Sequence, residues 1–127
     1  MQDRNLYEYA VIRVVPRVER EEFINTGIVL FCKKAKFIKV IYKIDIAKLN
    51  LFSAELDLVQ IEMNMKSFEK IAAGATDGGP IAQMDIASRF RWLTAIRSSV
   101  IQTSRPHSGL SLNLESTLER LFEELVL

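Results

Sequence analysis

The chain has 127 residues, 49% of them apolar and 26% charged, with a net charge of +1 and a single cysteine. That length fits one domain, residues 1–127, with enough chain to bury a real core. The near-neutral balance excludes a polyelectrolyte, the lone cysteine excludes an intrachain disulfide, and no stretch approaches the ~20 apolar residues of a membrane helix, so a reducing, cytoplasmic setting away from membranes is expected.

Tyr7–Pro16 reads as a strand, with Ala10, Ile12 and Val14 on one face and Tyr7, Tyr9, Val11, Arg13 and Val15 on the other. Both faces are mostly apolar, the pattern of an internal strand, and Pro16 ends the ladder because it has no N–H to donate. The charged run RVEREEF follows as a solvated turn or short helix. Ile28–Cys32 is a continuous apolar run, which predicts a buried strand, and Gly27 ahead of it marks a bulge or a close backbone approach. FIKVIYKI alternates, with Ile38, Val40, Tyr42 and Ile44 inward and Lys39 and Lys43 outward, as on an edge strand. The intervening KKAK is short enough for a hairpin, though it lacks Asn-Gly or Asp-Gly.

Asp45 is placed to cap a short helical turn over DIAKLNLF. Leu58, Ile61, Met65, Phe68 and Ala72 then recur at helical spacing, and Gly74 supplies a left-handed stop before the loop GATDGGP. Asp85 caps the next helix, whose stripe is Ile86, Phe90 and Leu93; SSVIQTS reads as a fourth strand. Asn113 caps a last helix with Leu114, Leu118, Leu121, Phe122 and Leu125 along one side. Hairpin-linked strands followed by helices give an α+β fold: an antiparallel sheet of about four strands with about three helices on one side.

Catalytic chemistry finds little support. Cys and His total two residues, short of a structural zinc site, and Asp45, Asp57, Asp77 and Asp85 lie in no cation-binding motif and read as caps and loop residues. Cys32 sits in the apolar run IVLFC, where a core role outweighs a nucleophile paired with His107. No G-x-S-x-G elbow surrounds a serine, and GATDGGP has no following lysine to make a phosphate loop, so no cofactor is expected. The acids of EREE belong to a solvated turn, Glu22 alone lying close to the strand that carries Asn25.

The distinctive stretch is Ile86–Leu114, which contains Arg89, Arg91, Arg97 and Arg105 and no Asp or Glu. Arginine suits two-pronged recognition of carboxylate or phosphate, and Ser98, Gln102, Ser104 and His107 add hydrogen-bonding groups. The alternative is internal pairing, with Arg89 or Arg97 bridging to glutamates of the last helix. Trp92 falls opposite Phe90 on an ideal helix, as a second core contact or as an aromatic platform beside the arginines.

YEYAVIRVVPRVEREEFINTGIVLFC, with RFRWLTAIRSSVIQTSRPHSG and LERLFEEL far downstream, resembles the bacterial uncharacterised-domain family catalogued as DUF 3037 over nearly the whole chain; Phe37 to Gly79 matches in pattern only. The resemblance implies family-typical positions at Arg13, Pro16, Arg17, Glu22, Asn25 and Gly27, and at Arg89, Phe90, Trp92, Arg97, Ser98, Gln102 and His107. Thr26 and Ile96 depart from the family pattern without removing a polar group. It also implies a HipA-type kinase-like protein as a partner, and that the two blocks meet in space.

The resulting expectation is a non-catalytic interaction or regulatory module that binds an anionic ligand or partner protein through Arg13, Arg17, Glu22, Asn25, Arg89, Trp92, Arg97, Ser98, Gln102 and His107. Two alternatives stand beside it. One is an enzyme acting on a phosphate ester or nucleic acid, with His107 as acid or base. The other is a single-stranded nucleic-acid binder built on Trp92 and the arginines, which the net charge of +1 disfavours.

Overall fold

The computed structural model describes residues 4–16, 22–52, 56–97 and 99–127. Its centre is β1 (Asn5–Val14), which pairs antiparallel with β2 (Ile24–Cys32), which in turn pairs with β3 (Phe37–Tyr42). Along its other edge β1 pairs with two short strands, β4 (Ile101–Thr103) and β5 (His107–Ser111), so the strand order is β3-β2-β1-β4, with β5 also on β1. The internal position expected of β1 follows from its two apolar faces. β3 is the edge strand its lysines indicated, and the KKAK turn closes a hairpin with Lys36 in the left-handed region, φ 54°.

Among the described residues four α-helices complete the fold: α1 (Ile46–Phe52), α2 (Leu58–Ala73), α3 (Ile86–Leu93) and α4 (Leu114–Leu125), with one 3-10 turn at Ile81–Gln83. Their ends are set by local chemistry. Asp57, Asp85 and Asn113 accept the N–H groups of Gln60, Ser88 and Ser116 as N-caps, and Asp45 accepts that of Lys48. Gly74 ends α2 at φ 67°, its N–H returning to the last turn.

The helices are not confined to one side. Ala10, Ile12 and Val14 of β1, with Val29, Phe31 and Val40, meet Leu49, Ile61, Met65, Phe68, Phe90 and Leu93 of the first three helices. The opposite face, with Tyr7, Val11, Ile28, Leu30 and Cys32, packs against Leu114, Leu118 and Leu121 of α4. The expected one-sided arrangement is thus corrected: alternation along β1 supplies an apolar set to each face, and each needs a cover. β5 has no counterpart among the strands expected from sequence, the last of which was SSVIQTS. Its strand form comes from pairing with Asn5–Tyr9, since its own residues are mostly exposed and polar.

The β1–β2 ladder carries a bulge. Ile12 faces Gly27, but Arg13 faces Asn25, leaving Thr26 as the extra residue. Gly27 is required there because a Cβ would stand 2.7 Å from the Ile41 carbonyl oxygen and 2.9 Å from Tyr42 Cβ. Among the described residues no helix is long and apolar enough to cross a membrane.

Candidate functional site

The bulge at Thr26 sets the register that places Asn25, Arg13 and Gln102 in one row across β2, β1 and β4. Between Ile12 and Val14, both turned to the first three helices, Arg13 points to the α4 face. Its guanidinium carbon lies 4.0 Å from the centre of the Phe23 ring. Its Nε is buried and meets no hydrogen-bond partner, and no carboxylate among the described residues forms an ion pair with it. Burial lowers its pKa from the usual arginine value, as for a cation that has lost part of its water without gaining a counter-charge among the described residues.

Asn25 is anchored by its side-chain Nδ2, which donates to the Leu125 carbonyl at 2.9 Å and so ties the end of α4 to β2. Its Oδ1 is buried without a partner. Gln102 turns its Nε2 back to the Ser99 carbonyl at 2.9 Å. His107 lies on the same face but opposite Tyr9, against which its ring tilts at 5.4 Å between centroids. Tyr9 is four residues from Arg13, ~13 Å along the strand, so His107 does not share a contact with the guanidinium.

The other signature arginines have different employment. Arg89 Nη1 donates to the carbonyls of Ile71 and Ala72, at 3.1 and 3.0 Å, closing the C-terminus of α2. Arg97 donates to the Trp92 carbonyl through Nη2 and to that of Ala95 through Nε at 3.4 Å, at the end of α3. Its guanidinium covers Trp92 at 4.6 Å, and burial lowers its pKa as well. Trp92 is 39% exposed and off the core stripe, touching Phe68 edge-on at 6.5 Å between centroids, so the platform surface it offers is already shared with Arg97. These groups belong to the α2–α3 side of the sheet, away from Arg13. The alternative, pairing of Arg89 or Arg97 with glutamates of the last helix, is not what forms among the described residues: Glu115 and Glu124 instead meet Lys39 and Arg120.

Glu22 is exposed two residues ahead of β2, and Arg17 and Ser98 lie outside the described residues. Cys32 is fully buried against the α4 face, as its core reading requires. Asp77 pairs with Lys70 at 2.7 Å, which with the three helix caps gives each of the four aspartates a structural contact. The residue missed from sequence is Phe23. It closes RVEREEF as a lone aromatic after a charged run, two residues before Asn25, and its place under Arg13 depends on the register.

Residues 9–126 match the family described as "Protein of unknown function (DUF3037)", and the chain belongs to that family. Neither a curated protein nor a solved structure matches.

Proposed function

We propose that this chain is a non-catalytic interaction module whose anion-recognising element is Arg13, framed by Phe23, Asn25 and Gln102. One observation supports the reading: Arg13 is a partly desolvated cation with no counter-charge among the described residues. Removing a guanidinium from water is unfavourable unless a charge or hydrogen bond compensates, and the Phe23 ring supplies only about 0.5–2 kcal/mol. Arg89 and Arg97 donate to main-chain carbonyls, although Arg89 Nε, like that of Arg13, is buried without a partner; Arg13 donates to no group among the described residues. A carboxylate or phosphate from a partner protein, seated beside the Phe23 ring, would complete the site. Phe23 is 43% exposed and offers apolar contact next to the charge, the combination that anchors many protein interfaces.

The HipA-type kinase-like protein implied by the family resemblance is the first partner to test. Affinity capture from the native host with wild-type, Arg13→Met and Arg13→Lys chains checks the reading. Wild type should retain a partner that Arg13→Met loses, and Arg13→Lys should bind weakly because an ammonium cannot offer the same two-pronged geometry. Equal recovery with all three chains refutes it.

A further inference from the structure

The β5 edge of the sheet is open, and its residues differ in kind from those of the opposite edge. The Val15 N–H donates to the Val100 carbonyl at 2.6 Å and the Ser104 N–H to that of Val11 at 2.8 Å, so odd-numbered positions along β1 address this side of the sheet. Alternation then gives Asn5, Tyr7 and Tyr9 the ladder bonds to Ser111, Gly109 and His107. The main-chain N–H and C=O groups of Ser108 and Leu110 therefore point away from β1. Among the described residues no strand lies along that outer side.

An exposed strand edge is ordinarily guarded by charge, proline or a kink. β3, at the other edge, carries Lys39, with Lys43 just beyond it. β4 has only three residues, its outward Ile101 carbonyl accepts the Ser99 hydroxyl at 2.6 Å, and Pro106 interrupts the edge before β5 begins. β5 itself holds no lysine, arginine, acid or proline. It presents leucine instead. Leu110 stands directly opposite Leu6, on the face that carries Ala10 and Ile12, and the two are 59% and 63% exposed. Paired leucines left in water beside unmet main-chain groups make a surface suited to an added strand.

We propose that β5 pairs antiparallel with the β5 of a second copy of this chain, Leu110 opposite Leu110, joining the two five-stranded sheets into one. The Leu6–Leu110 row continues across the edge only if the arriving strand has an apolar residue at the matching position. A two-fold axis supplies it, because Leu110 then meets itself. The main-chain groups match as well, since each Leu110 N–H faces the other's C=O. The product is a row of four leucines, Leu6 and Leu110 from each copy. A net charge of +1 and an uncharged edge leave little repulsion between copies. Pairing uses both edges, so growth stops at two. Arg13 points to the other face of the sheet, so this surface goes beyond the partner-binding reading and does not depend on it.

β5 has 5 residues, so the contact falls at the small end of the ~1,200–2,000 Å² of stable interfaces, and a micromolar dimer is expected. Sedimentation velocity of the whole chain, from low micromolar to near-millimolar concentration, should show a monomer–dimer equilibrium. Leu110→Lys and Leu110→Glu, at an exposed position, should unfold as wild type does by circular dichroism. Each should weaken the dimer about tenfold or more, because like charges would face each other across the axis. An equimolar mixture of the two should recover association as a heterodimer, the result that position 110 opposing position 110 requires. Arg13→Met should dimerise as wild type does. The proposal is overturned if wild type stays monomeric throughout, if both charged variants dimerise as wild type does, or if mixing them restores nothing. A monomeric wild type whose Leu110→Lys variant loses a host-cell partner also overturns it, and assigns the edge to a foreign strand.

Discussion

Replacing Arg89 with methionine should cost the fold about 2–4 kcal/mol, although this arginine belongs to the acid-free segment that looks most like a ligand site. Its Nη1 donates to Ile71 O at 3.1 Å and Ala72 O at 3.0 Å. A hydrogen bond from a charged donor contributes about 1.5–3 kcal/mol, and two bonds shared by one nitrogen contribute less than twice that. The positive charge at a helix C-terminus adds about 0.3–1 kcal/mol. Methionine keeps most of the side chain's apolar length, so the loss reports the guanidinium. Urea unfolding followed by circular dichroism measures it, and thermal unfolding should show the midpoint falling by roughly 3–5 °C per kcal/mol for a chain of this size. Arg89→Lys should recover part of the loss, since an ammonium reaches a carbonyl without the fork. A change below ~0.5 kcal/mol in Arg89→Met, with partner binding abolished, would refute the assignment and return Arg89 to the binding surface.

Two further outcomes follow from local geometry. Gly27→Ala should destabilise by about 1–3 kcal/mol, because its Cβ would meet main-chain atoms of β3 that cannot swing aside; urea unfolding checks this, and a neutral result would contradict the tight bulge. Asp85 titrates below its usual value of 3.8, chiefly because the Ser88 hydroxyl donates to it, with the Ser88 N–H second. Its folded carboxyl therefore binds a proton less readily than the unfolded one, so its contribution is present above pH 3.8 and is lost as the pH falls through the lower folded value. Unfolding midpoints of Asp85→Asn compared with wild type down an acid series should converge in that window, and parallel curves would contradict the capping role.

Much of the fold was readable because it depends on local chemistry. The caps at Asp85 and Asn113, the left-handed stop at Gly74 and the apolar stripe of α4 each follow from neighbours a few residues away. β5 was not readable, since Ser108 and Gly109 carry no strand pattern and are extended only by pairing with Glu8 and Tyr7. The placement of α4 on the second face was half legible: the apolar set Tyr7, Val11 and Ile28 asked for a cover without saying which helix supplies it. The site divides in the same way. Gln102 stood out by residue type, and Arg13 and Asn25 through the family resemblance, but their alignment depends on one extra residue in β2. The engagement of Arg89 and Arg97 was hidden because their partners are carbonyl oxygens, which every residue has.

Arg13→Met tests most directly whether Arg13 is a cation held for something outside the chain, when stability and partner affinity are measured on the same protein. Losing the contact with Phe23 removes about 0.5–2 kcal/mol, while removing a desolvated, unpaired charge returns a similar amount. The account predicts unfolding free energy within about 1 kcal/mol of wild type, together with at least a tenfold loss of affinity for the captured partner. Unchanged affinity, or a loss of stability above ~2 kcal/mol, would contradict it and make Arg13 one more structural arginine.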